Sequence, residues 1–455
     1  MKKLTAILLL LCLCAVVLTG CGERRSEAVA DLTETAAEND PAGSAETVDG
    51  KSAENDAREL TTLPQNGPDA AKAKELAALH GVSEEDLHGA YSLFVRFSEV
   101  LEAYDKLGDY REFVYRIFPL IADNTAYLDE DFFFSSLAEL SIEVEEIGDG
   151  ENGVYWFDSK QLYLNETMFR EKPYIVLHSL FHELMHFVDY SINGLVEPVY
   201  LLDGKRYHFD ETGALSSGDS SRLILCEGSE IVTEGGAELF ASKYYDCAPN
   251  AYFPSVTFMT GLEYVMGEDF INELFLNRDS GALLEQLFFD IGYSPEDYQR
   301  VAQMLNSLSR TDLYPMPDDP ISPEDMLIDL YEYKLGDGWC EDAGFHYILK
   351  CLNGIALDGW KTSEHSDFLE TIEFETFSQY EDFQKKLFEK AKEVRDIDVL
   401  PPTPFMRNGK LLIGGFATLE DPQTGEESHG TVTFDYDFET DTLRNYYFDQ
   451  IGGTD

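Results

Sequence analysis

Apolar residues recur along the chain with two periods, and the places where the period changes divide it into elements. Leu87, Tyr91, Phe94, Phe97, Leu101 and Tyr104 fall three or four apart, which predicts a helix. Ser83 marks its start as a cap, with Glu84, Glu85 and Asp86 in the first turn. A second helical stretch covers about Tyr110 to Ala126. Leu140, Ile142 and Val144 then alternate with Ser141, Glu143 and Glu145, the period of a strand. Gly153-Val154-Tyr155-Trp156-Phe157 and Gln161-Leu162-Tyr163-Leu164 flank Asp158-Ser159-Lys160 and predict a hairpin. Pro173 opens a strongly apolar helical run, Tyr174 to Ile192, which Asn193-Gly194 ends. From about 250 to 395 the pattern is mainly helical, with clear starts at Ser294-Pro295-Glu296-Asp297 and Ser322-Pro323-Glu324-Asp325. Beyond Pro401-Pro402, Lys410–Leu419, Thr431–Phe438 and Arg444–Ile451 alternate like antiparallel strands. The predicted fold class is α+β: a small mixed sheet with one long helix, a mainly helical region, and a short C-terminal antiparallel β segment.

The N-terminus has a different character. Met1-Lys2-Lys3 precedes an apolar run, Leu4 to Leu18, too short for a comfortable membrane span. Leu18-Thr19-Gly20-Cys21 follows and resembles the lipobox of bacterial lipoproteins. That resemblance implies a signal peptide over 1–20, a lipid anchor on Cys21, and residence on the extracytoplasmic face of a bacterial membrane. Residues 22 to about 70 are acidic and small and contain no aromatic side chain, so 21–70 is expected to be a disordered tether. The remaining expected units are a core over 71–250, the helical region over 251–400 and the β segment over 401–455.

Charge narrows the partners. With 33 basic and 87 acidic side chains the formal net charge is −54, which excludes a phosphate-facing nucleic-acid surface. The chain is nonetheless 44% hydrophobic and 13% aromatic, enough to bury a large core. Once the signal and Cys21 are set aside, Cys226, Cys247, Cys340 and Cys351 remain. Outside the cytoplasm the sequence-local bridges Cys226–Cys247 and Cys340–Cys351 are allowed, among other pairings. No Cys-x-x-Cys is present, which argues against a cysteine zinc site.

The chemistry concentrates on the Tyr174–Ile192 helix, in Phe181-His182-Glu183-Leu184-Met185-His186. His182 and His186 are four apart, so both imidazoles leave one helix face a turn apart and can clamp one Zn²⁺ at about 2.0–2.1 Å. Glu183 is rotated about 100° around the helix and is placed to act as a general base rather than a ligand. His178 extends the stripe a turn earlier but lacks the following Glu, and is read as a buried histidine beneath the site. A zinc enzyme needs a third ligand. Asp189 and Ile192 occupy the positions that a metzincin would fill with Gly and His, which removes that branch. Further along, Glu234 and Glu238 stand four apart in Ile231-Val232-Thr233-Glu234-Gly235-Gly236-Ala237-Glu238-Leu239-Phe240-Ala241. One of the two can bind metal while the other holds the distal nitrogen of a ligating histidine.

At these residues the chain resembles the gluzincin metallopeptidases, whose third zinc ligand is a glutamate on a following helix. Thr233 to Phe240 is similar to the corresponding segment of zinc aminopeptidases and of the anthrax lethal factor-like peptidases. The resemblance spans roughly residues 135 to 250. It implies a zincin-like catalytic domain, Glu234 as the ligand and Glu238 as its neighbour's support, with Glu238 as ligand the other register. It also implies a supporting role for Asp189, since the lethal factor-like group carries an aspartate near that place. Gluzincins add a Tyr or His that stabilises the oxyanion; Tyr207, His208, Tyr244 and Tyr245 are the candidates. The strand Gln161–Leu164 is a candidate edge for an extended peptide, with plain structural sheet the equal alternative. The expected function is a zinc-dependent endopeptidase acting on peptide or protein substrates; the alternative is a zinc-containing binding lipoprotein on the same body with little or no peptidase activity.

Overall fold

The chain is described from a computed structural model that covers residues 68–103, 106–148, 151–156, 159–192, 200–202, 205–207, 224–225, 231–276, 280–309, 321–355, 394–397, 403–420 and 427–450. The signal segment, Cys21 and nearly all of the tether lie outside the described residues, as do Cys226 and His208. Helices α1 (Pro68–Leu79), α2 (Tyr91–Ala103), α3 (Arg111–Tyr115), α4 (Phe118–Asp123) and α5 (Glu130–Glu139) lead into strands β1 (Ser141–Glu145), β2 (Gly153–Trp156) and β3 (Gln161–Asn165). Then come α6 (Glu166–Glu171), α7 (Pro173–Ile192) and a small sheet of β4 (Tyr200–Leu202), β5 (Lys205–Tyr207) and β6 (Ile224–Leu225). A π-helical turn, Ile231–Gly235, runs into α8 (Gly236–Tyr244). The helical region holds α9 (Phe253–Met266), α10 (Glu268–Leu276), α11 (Ser280–Asp290), α12 (Pro295–Ser309), α13 (Pro323–Leu335) and α14 (Ala343–Ile355). Strands β7 (Val394–Ile397), β8 (Thr403–Arg407), β9 (Lys410–Glu420), β10 (Glu427–Asp437) and β11 (Thr442–Gln450) end the described chain.

Two predicted helices are broken where local chemistry forbids their continuation. Ser83 Oγ does accept the Asp86 N–H at 3.1 Å, but His88 (φ 46°) and Gly89 (φ 81°) turn left-handed, so the helix proper starts at Tyr91. The stretch after Tyr110 stops at Tyr115 and resumes at Phe118, because Pro119 has no N–H to offer the preceding turn. Ser294 and Ser322 cap α12 and α13 as expected, each accepting the N–H of the aspartate three residues on, at 3.1 and 3.0 Å.

Helix α7 is buried on nearly every side, and a helix of that kind has to be central. From Val176 to Ile192 every side chain except Ser179 and Tyr190 is buried. It lies among β2, β3, α5, α6 and α8, and Phe187 meets Phe133 of α5 at 6.0 Å and Tyr155 of β2 at 5.9 Å. No helix of the described residues is long and apolar enough to cross a membrane.

The hairpin forms as predicted, with Gly153 opposite Leu164 and Trp156 opposite Gln161. β1 joins β3 in parallel on its other side, Ile142 opposite Leu162. The order β1-β3-β2 makes β3 the middle strand, which corrects the expectation that Gln161–Leu164 offers a free edge; the outer strands are β1 and β2.

The C-terminal sheet runs β11-β10-β9-β7, and β8 pairs with β9 further along the side that β7 occupies. Cross-strand partners share a face. Ile413, Val432 and Phe434 pack with Tyr347 and Cys351 of α14 in a small second core, while Phe405 and Leu412 face the main core. Cys247, Cys340 and Cys351 are free thiols, so neither the Cys340–Cys351 bridge nor a bridge to Cys247 is present.

Candidate metal centre

Three elements converge on one point. α7 supplies His182 and His186, the π-helical turn supplies Glu234, and α8 supplies Glu238. A π turn widens the helix by one residue, is rare, and is frequently found at functional sites. This one is pressed against α9: a Cβ on Gly235 would stand 2.8 Å from the carbonyl carbon and oxygen of Ser255, so only glycine lets the two backbones approach.

His182 Nε2 and His186 Nε2 lie 3.0 Å apart, and Glu234 Oε2 stands 3.2 Å from the first and 3.3 Å from the second. Among the described residues these three form the one buried His/Cys/Asp/Glu group with metal-ligand spacing. Tetrahedral zinc with ligands at 2.0–2.1 Å separates those ligands by about 3.3 Å, so the triangle has the size that zinc requires. Its chemistry fits as well. His182 Nδ1–H donates to Glu238 Oε2 at 3.0 Å, so once Nε2 gives up its proton it is the nitrogen that faces Glu234 and His186 and could bind a metal. Two imidazole nitrogens and a carboxylate oxygen converging in a buried site need positive charge between them, as protons or as a metal ion.

The electrostatics carry the same demand. Burial opposes a charge on His182, but the carboxylates of Glu234 and Glu238 outweigh it and hold its pKa up to about 10. Burial alone would raise Glu234, yet His186 and His182 hold it far below the usual carboxylate range. Two buried carboxylates therefore draw positive charge into the cluster, and a metal ion competes with protons for that place.

Glu238 is fully buried and its second oxygen is also committed. Glu238 Oε1 accepts the N–H groups of Asn250 at 2.5 Å and Ala251 at 3.1 Å. Burial would raise its carboxyl, but His178 and His182, helped by the Asn250 N–H, hold it below the ordinary carboxylate range. Its contact with His182 is through Nδ1, so in this structure Glu234 stands at the ligand position and Glu238 behind the ring. His178 lies outside the triangle, with Nε2 donating to the Ala248 carbonyl at 3.1 Å. Burial lowers its pKa.

Glu183 leaves α7 on another side and is not part of the triangle, although its charge reaches His182. Its side chain is only 3% exposed and packs on β2: a Cβ on Gly153 would stand 3.2 Å from Glu183 Cγ. Asp189 is buried one turn past His186, and burial raises its carboxyl to about 7, moderated by His186. It hydrogen-bonds neither ligand ring: His182 Nδ1 is taken by Glu238, and His186 Nδ1 has no hydrogen-bond partner.

Of the four oxyanion candidates, two are committed elsewhere. Tyr245 stacks on Phe181 at 4.1 Å and donates its hydroxyl to the Phe113 carbonyl at 2.7 Å. Tyr244 opens into a separate cavity of about 850 Å³, lined by Asp86, Asp123, Lys243 and Glu268 among others, with none of the site residues. Tyr207 belongs to β5, and its side chain and His208 lie outside the described residues. Two rings that the motifs did not single out flank the site instead. Tyr252, in a left-handed conformation (φ 49°), stacks on His182 at 5.2 Å, and Tyr190 lies 6.4 Å from His186. Gly153 was findable, since a lone glycine in a strand signals close approach of a neighbour. Tyr252 and the Asn250–Ala251 amides had no signal, because they act through loop geometry. No protein-family model, curated protein or solved structure matches this chain.

Proposed function

We propose that the protein is a zinc-dependent metallopeptidase that cleaves internal peptide bonds, held by a lipidated Cys21 at the extracytoplasmic face of a bacterial membrane. The observation that carries the reading is the triangle of His182 Nε2, His186 Nε2 and Glu234 Oε2, with Glu183 next to His182 in the sequence and close enough for its charge to act on that ring. Those three residues would hold Zn²⁺, which supplies Lewis acidity to a scissile carbonyl and makes water nucleophilic near neutral pH. Glu183 takes the proton from the attacking water and returns it to the leaving amine. Glu238 keeps His182 in the tautomer whose Nε2 lone pair is available.

The outer strand β2 supports a peptide substrate. Gly153 packs β2 on Glu183, and an extended peptide adding to β2 would extend the sheet whose face rests on that residue. The net charge of −54 favours substrates with basic segments by long-range steering. The test is cleavage of a diverse peptide mixture read by mass spectrometry, with and without a zinc chelator. New termini that appear only without chelator support the reading; an unchanged mixture in both arms overturns it.

A further inference from the structure

The C-terminal sheet reaches the back of the metal centre through the segment Cys247–Ala251. Arg407, the last residue of β8, donates from Nε and a terminal guanidinium nitrogen to the Ser242 carbonyl at 3.0 and 2.6 Å, and from the same terminal nitrogen to the Cys247 carbonyl at 2.6 Å. Ser242 belongs to the last turn of α8, where carbonyls lack helical partners and the helix dipole is negative, so a guanidinium is well matched there. Thr431 of β10, fully buried, accepts the Ala248 N–H on Oγ1 at 3.1 Å. Gly414 of β9 backs directly onto Ala248. Three adjacent strands thus present one face to Cys247–Ala248.

Ala248 stands two residues before the amides that grip Glu238. Its carbonyl takes the His178 bond, and Asn250 and Ala251 donate to Glu238 Oε1, whose other oxygen holds His182 Nδ1. A continuous chain of hydrogen bonds and backbone therefore runs from Arg407 and Thr431 through Ala248–Ala251 and Glu238 to His182.

We propose that Arg407 and Thr431 are positioning residues for the metal centre: by clamping Cys247–Ala251 they fix Glu238 behind His182, and so the C-terminal sheet sets zinc affinity. This rests on the metal-site half of the reading above and not on the peptidase half. Groups that touch a ligand directly change metal affinity by about 10–100-fold. One link further out, a loss of about tenfold, the low end of that range, is expected.

The test is zinc affinity of the full chain by chelator competition, alongside its metal-free unfolding midpoint. Thr431→Val removes the acceptor at constant shape and Thr431→Ser keeps it; Arg407→Gln removes the clamp. Arg444→Gln, which breaks an exposed pair with Asp437 in the same sheet, is the control. The expected result is roughly tenfold weaker zinc binding for Thr431→Val and Arg407→Gln, with Thr431→Ser and Arg444→Gln near wild type. Equal affinity in all folded variants overturns the proposal, and Thr431→Val against Thr431→Ser decides it if Arg407→Gln does not fold. Wild-type zinc binding without peptide cleavage, with the affinity gap intact, would instead sink the peptidase reading and leave this one standing.

Discussion

Glu183 rests on a glycine: a Cβ at Gly153 would stand 3.2 Å from Glu183 Cγ and 3.3 Å from Ser179 Cβ. The strand that lies beside Glu183, the proposed base, also sets where its side chain can be. Gly153→Ala should push the Glu183 side chain by a few tenths of an ångström while leaving His182, His186 and Glu234 in place. Misplacement of about 1 Å can cost about a hundredfold in rate, so a smaller shift predicts a roughly tenfold lower kcat with zinc affinity unchanged. Steady-state kinetics beside a zinc titration checks this. Loss of zinc binding in the variant would show that β2 supports the ligands instead.

The division of labour between the two glutamates is testable by charge removal. Glu238→Gln keeps the acceptor for Asn250 and Ala251 but removes the carboxylate that holds His182 Nδ1. Zinc affinity should fall by about 10–100-fold. Glu234→Gln, which deletes a ligand, should cost more. The reverse order would place Glu238 in the coordination shell.

Gly235 tests the π turn. Its missing Cβ lets the turn lie on the Ser255 backbone, which cannot yield as a flexible side chain can. Gly235→Ala should destabilise the fold by about 1–3 kcal/mol, the cost of overpacking. It should also displace Glu234 and weaken zinc binding. Thermal unfolding with and without zinc reads both effects.

The site was legible in the sequence where chemistry follows local spacing. His182, Glu183 and His186 lie on one helix, and Glu234 and Glu238 are four apart, so helical geometry alone relates the members of each set. The helix α7 and the β2–β3 hairpin were legible for the same reason. What the sequence hid depends on contacts between distant segments. The parallel insertion of β1 beside β3, which removes the expected free edge from Gln161–Leu164, is a tertiary choice. So is the docking of Arg407 and Thr431, 159 and 183 positions from Ala248 by number (407 − 248 and 431 − 248). The breaks at His88 and at Arg116–Ile117 were local signals that the apolar periodicity masked.

A ligand that binds only the native state stabilises it by mass action. Free Zn²⁺ at a hundred times its dissociation constant should stabilise the chain by about 2.7 kcal/mol. Because His182 holds its proton strongly beside Glu234 and Glu238, binding should also release protons into a weakly buffered solution. Calorimetric titration in two buffers of different ionisation enthalpy measures that release. No zinc-dependent rise in the unfolding midpoint would contradict the metal centre.

The most direct measurement compares wild type with Glu183→Gln for bound zinc and for peptide cleavage in the same preparation. Glu183 stands outside the ligand triangle, so the variant should keep one zinc per chain while cleavage falls by two or more orders of magnitude, the scale of a lost general base. Zinc retained with cleavage undiminished would contradict the account at its centre.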